Sequence, residues 1–90
     1  MIKINTSKKI IQADDYSFEF TMSLFKGDIS GNFPDDEYTI VSETPDSMAV
    51  MPAGKNYVIA ELLYTLFFQN DVLPANLEGI AEDILEAELS

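Results

Sequence analysis

Ninety residues, 47% hydrophobic and 11% aromatic, suffice for one small domain with an apolar core but not for two. Sixteen acidic side chains against five lysines give a net charge of -11, yet the apolar share is too high for an acidic disordered tail. Cys, His, Trp and Arg are absent. That removes disulfides, zinc sites built on Cys or His, imidazole-based triads and bidentate phosphate clamps.

The chain opens with Ile2, Ile4, Ile10 and Ile11 interleaved with Lys3, Lys8 and Lys9, the pattern of an edge strand guarded by lysines. It lacks the apolar run of a signal peptide, so a cytoplasmic location is expected. From Tyr16 to Leu24 the sequence alternates strictly: Tyr16, Phe18, Phe20, Met22 and Leu24 against Ser17, Glu19, Thr21 and Ser23. Period two over nine residues predicts a half-buried strand with the aromatic set facing the core. Phe25 falls on the other face, and it and Phe33 are candidate exposed anchors.

Residues 27–37 read as a loop, with Gly31, Pro34 and the acids Asp35, Asp36 and Glu37. Its oxygen-bearing side chains, Asp28 and Asn32 included, do not follow the spacing of a calcium loop, so no metal is expected there. Tyr38 to Ser42 and Met48 to Met51 are β-rich and predict a hairpin, with Thr44-Pro45-Asp46-Ser47 as a four-residue connection.

Beyond Asn56 the period changes. Tyr57, Val58, Ile59, Leu62, Leu63, Leu66 and Phe67 recur at helical spacing, with Tyr64 and Phe68 widening the stripe until little polar surface remains. Such a helix is central to the core or shared with a partner, so 56–68 is the candidate homodimer surface. At twelve or so residues it is too short for a bilayer, which takes about 20, and no membrane contact is expected. Pro74 then starts a second helix, with Leu77, Ile80, Ala81, Ile84, Leu85 and Leu89 as its apolar face. The order implies an α+β domain: a small antiparallel β-meander of three or four strands, then two helices packed on one face.

Charge is segregated along the chain. Residues 1–9 hold three lysines and no acid, whereas residues 56–90 hold seven acids and no base. On the final helix Glu78, Glu82 and Glu86 form an i, i+4, i+8 row with Asp83 beside it, each step about 6 Å along the axis. Such a row either keeps the protein soluble or docks on a basic groove. Backbone phosphates recur about every 3.4 Å along a DNA strand, so spaced carboxylates approximate a polyanion. Direct binding of DNA or RNA is the one partner class this charge opposes.

The acidic loop Asp35-Asp36-Glu37 and the row Glu78, Glu82, Glu86, in a short chain without catalytic side chains, resemble a class of small phage and mobile-element inhibitors. Anti-CRISPR proteins are among them, and some present carboxylates in place of target DNA. The net charge of -11 and the lysine-free second helix lead to the same expectation, a non-enzymatic inhibitor of a basic nucleic-acid-handling complex. The candidate contact residues are Asp35, Asp36, Glu37, Glu78, Glu82, Asp83 and Glu86, with no cofactor. Carboxylate pairs such as Asp14-Asp15 suggest acid–base chemistry only if a deep pocket accompanies them. The alternative reading is a small structural or assembly subunit of the virion or tail-assembly type, joined through helix 56–68.

Overall fold

The computed structural model describes residues 2–27, 37–77, 79 and 80. Four strands, β1 (Ile2–Gln12), β2 (Ser17–Lys26), β3 (Tyr38–Thr44) and β4 (Ser47–Pro52), form one antiparallel sheet in the order β1-β2-β3-β4. The helix α1 (Tyr57–Gln69) follows. The chain is helical again at 74–77, 79 and 80, where α2 begins. This is the expected α+β meander with two helices over one face.

Period-two alternation builds the core. Phe20, Met22 and Leu24 of β2, Ile40 of β3, and Ala49 and Met51 of β4 all point to one face and are almost fully buried. Ala60, Tyr64, Phe67 and Phe68 of α1 close over them, joined by Val72, Leu77 and Ile80. Phe20 and Phe68 stack with ring centroids 5.9 Å apart and planes 11° from parallel. Ala60 is wholly buried, and its small side chain lets the helix backbone approach the sheet.

The turns adjust the sequence-based boundaries. Tyr16 belongs to the β1–β2 turn, where the Ala13 N–H donates to its carbonyl at 2.7 Å, and so it stays 66% exposed rather than joining the core. The β3–β4 connection is two residues, not four, because Thr44 and Ser47 already pair across the hairpin. Pro45 supplies the fixed φ that suits the first central position of such a turn. The opposite face of β2 is less wet than its polar residues imply. Ser23 is buried there beside Val41, with its hydroxyl 3.0 Å from that of Thr6, and Thr39 donates to the Gly27 carbonyl at 2.8 Å. Phe25, expected to be an exposed anchor, is half-buried with the Lys3 ammonium 5.6 Å from its ring centre. Phe33 lies outside the described residues.

Candidate protein-docking surfaces

Two apolar rows run along α1. Ala60, Tyr64 and Phe68 form the row that meets the sheet, with Leu63 and Phe67 beside it. Val58, Leu62 and Leu66 form the other, at the same i, i+4, i+8 spacing, flanked by Ile59. These four side chains are 72%, 57%, 42% and 52% exposed in that order. A sheet covers only one side of a helix, and the row with the small Ala60 permits the closer approach. The uniform stripe in the sequence therefore divides into a core face and an outward apolar face. The signal was present in the second i, i+4, i+8 row, but period alone does not say which row turns inward.

The ends of α1 are firmly set. The Asn56 side chain accepts hydrogen bonds from the N–H groups of Val58 (2.9 Å) and Ile59 (3.3 Å), satisfying two of the donors that a helix start leaves open. At the other end Val72 N–H donates to the Phe67 carbonyl at 3.0 Å and Asp71 N–H to the Phe68 carbonyl at 3.4 Å. That paired closure normally takes glycine at the position of Asp71, whose φ of 53° is left-handed. The last turn of α1 holds no basic residue of its own. Lys9, reaching across from β1, donates to the Phe68 carbonyl at 2.6 Å and pairs with Asp71. Ser7 and the Tyr64 hydroxyl share a 2.5 Å hydrogen bond one turn earlier. The outward row is thus carried on a helix fixed at both ends and against two strands.

The acidic candidates fare differently. Of the seven, only Glu37 is described; Asp35, Asp36, Glu78, Glu82, Asp83 and Glu86 lie outside the described residues. Glu37 is half-buried at the foot of β3, its carbonyl accepting the Gly27 N–H at 2.7 Å and closing the base of the 28–36 connection. Asp28 and Asn32 of the oxygen-rich loop also fall outside.

Antiparallel topology gathers other acids that the sequence reading did not connect. The β1–β2 and β3–β4 turns share one end of the sheet, which brings Asp14 and Asp15 to the same end as Glu43 and Asp46. Glu19 lies there too, 3.8 Å from Lys8. Lys3, Lys26 and Lys55 occupy the opposite end. Between the two hairpin turns and the start of α2 lies an open groove of about 450 Å³. Tyr16 and Phe18 form one wall, with ring centroids 6.0 Å apart, and Leu73 and Pro74 line another part.

Tyr57, at the first position of α1, packs obliquely on Tyr38 with ring centroids 5.6 Å apart. Its phenol is held above the ordinary tyrosine value, first by a hydrogen bond to Glu61 and then by the charge of that carboxylate. Among the described residues no three acidic side chains converge as metal ligands, and no helix is long and apolar enough to cross a membrane. No protein-family model matches the chain, and no curated protein or solved structure matches it either.

Proposed function

We propose that the protein is a non-enzymatic protein-binding component whose main contact is the outward face of α1, and that this face pairs with a second copy of the chain. The observation that carries the reading is the exposed row Val58, Leu62 and Leu66 with Ile59 alongside. A contiguous exposed apolar stripe is stabilised by covering it. Two molecules of charge -11 repel over most approaches, but the stripe itself holds no charged side chain. A two-fold contact of α1 on α1 sets like patch against like patch without opposing carboxylates in its centre. A standard interface takes about 800 Å² per partner, roughly a seventh of the 5755 Å² accessible surface, and these four side chains would form its middle. This reading fits a small structural or assembly subunit acting in the cytoplasm.

Sedimentation equilibrium tests it. A dimer that tightens as salt rises is expected, because screening weakens the repulsion while apolar burial persists. Leu62→Glu should return the protein to a monomer with its far-UV circular dichroism unchanged. A wild-type chain that stays monomeric at every concentration and salt level overturns the pairing.

A second reading, an inhibitor that presents carboxylates in place of DNA to a basic protein, is supported by the net charge and by the acid-lined hairpin end. Seven acids without a base on residues 56–90 support it further. Its proposed contacts remain Asp35, Asp36, Glu37, Glu78, Glu82, Asp83 and Glu86. Changing Glu78, Glu82 and Glu86 together to Lys should abolish capture by a basic protein target; retained binding would remove the row from the site.

A further inference from the structure

We infer that the groove between the two hairpin turns and α2 receives a lysine or arginine side chain from an extended basic segment of a partner protein. The groove has a volume of about 450 Å³, within the usual range for a ligand site. Its lining is divided by chemistry. Tyr16, Phe18, Leu73 and Pro74 present apolar surface, whereas Asp46 is the one acidic side chain among the described residues that line it. Asp14 and Asp15 stand in the turn immediately before Tyr16, and no lysine lines the groove.

That combination selects its occupant. Lysine and arginine carry a cation on an aliphatic stem, which buries along apolar surface while the head stays near charge and water. The stem fits against Leu73 and Pro74, with the head beside Asp46 and the exposed Tyr16 ring, whose face attracts cations. An anionic group in the groove would face the Asp46 carboxylate with no lysine in the lining to offset it. A wholly apolar group would cover Asp46 and the hydroxyls of Ser17 and Ser47 without giving them partners. The inference rests on the reading that the partner is basic, and it is independent of whether α1 pairs with a second copy.

Amide chemical-shift mapping by NMR with hexa-arginine and hexalysine peptides tests it, with hexaglutamate as the control. Shifts concentrated at Tyr16, Phe18, Asp46 and Ala75 are expected, with none from hexaglutamate. Tyr16→Ala should weaken peptide binding about three- to fivefold, the loss of one exposed cation–ring contact. Asp46→Asn should weaken it by about two- to fivefold, as for an exposed ion pair. Tyr16 lies outside the strands and Asp46 is on a turn, so both variants retain the fold, which circular dichroism verifies. Shifts spread over carboxylates all around the molecule, or undiminished binding by Tyr16→Ala, overturn the groove while leaving a basic partner in place. If neither cationic peptide binds at low salt, the groove and the basic-partner reading fall together.

Discussion

Lys9 of β1 ties down the C-terminus of α1 through Asp71: the ammonium pairs with that carboxylate while donating to the Phe68 carbonyl at 2.6 Å. It also lies 4.5 Å from the centre of the Phe68 ring and 5.8 Å from that of Phe20. A helix end concentrates negative partial charge on its open carbonyls, and the helix supplies no base of its own there. The edge strand, four residues short of its own turn, provides the missing cation. Lys9→Ala should therefore cost about 1–2 kcal/mol, the order of one partly exposed charged hydrogen bond at a helix end, read by urea denaturation. A loss no larger than that of Lys8→Ala, whose partner Glu19 sits 3.8 Å away on the exposed face, would refute the clamp.

Asp71 separates charge from backbone strain. At φ 53° it occupies a region that costs a non-glycine residue roughly 1 kcal/mol, while its half-exposed ion pair returns less than about 1 kcal/mol. Asp71→Gly should thus leave stability within about 0.5 kcal/mol of wild type. Asp71→Val, which keeps the strain, stiffens the side chain and loses the pair, should lose about 2 kcal/mol. Equal losses for the two variants would show that the left-handed backbone carries no cost here.

At the other end of α1, the Asn56 side chain satisfies two N–H groups that no residue of the helix can reach. Asn56→Ala should lower stability by about 1 kcal/mol, and Asn56→Asp should retain most of it. Thermal unfolding monitored by circular dichroism checks both. If Ala is as stable as Asn, these bonds form equally well with water.

The meander was legible because its signals are local. Alternation from Phe18 to Leu24 identified β2, and the β-rich runs around Thr44–Ser47 identified a hairpin. The change of period beyond Asn56 marked the start of α1. What sequence could not supply was orientation. Tyr16 continues the alternation, yet the turn claims it. Ser23 looks like a solvent-facing residue, yet it sits on the second of four strands beside Val41, where neighbours on both sides cover it. The acids of two separate turns become neighbours only once strand order is known, and Lys9 becomes a helix cap only through the pairing of β1 with β2.

The facing of α1 gives the sharpest contrast between two neighbouring positions. Ala60 is fully buried against the sheet, whereas Leu62 is 57% exposed. Ala60→Leu adds three carbons where there is no space and should cost about 1–3 kcal/mol or more. Leu62→Asn, measured at concentrations where the chain is monomeric, should stay within about 0.5 kcal/mol of wild type. The inverse pattern would mean that the helix is rotated about its axis, and the outward row would no longer be a docking face.

Tyr57 provides a probe of the first turn of α1 that does not depend on stability. Glu61 holds the phenol above the ordinary value of 10.0, chiefly by accepting its hydrogen bond and secondly by opposing the phenolate with its own charge. A folded-state value raised above the unfolded one contributes stability that is complete below about pH 10 and is lost as pH rises through the raised value. Because Tyr57 is solvent-exposed, the contribution is small and the titration itself is the better readout. Followed by phenolate absorbance, Tyr57 should ionise above the ordinary tyrosine value, and Tyr57→Phe should remove that step. Glu61→Gln should shift the same step toward lower pH, since the carboxylate charge is gone and an amide accepts more weakly. A titration curve that Glu61→Gln leaves unchanged would dissolve the Tyr57–Glu61 pair.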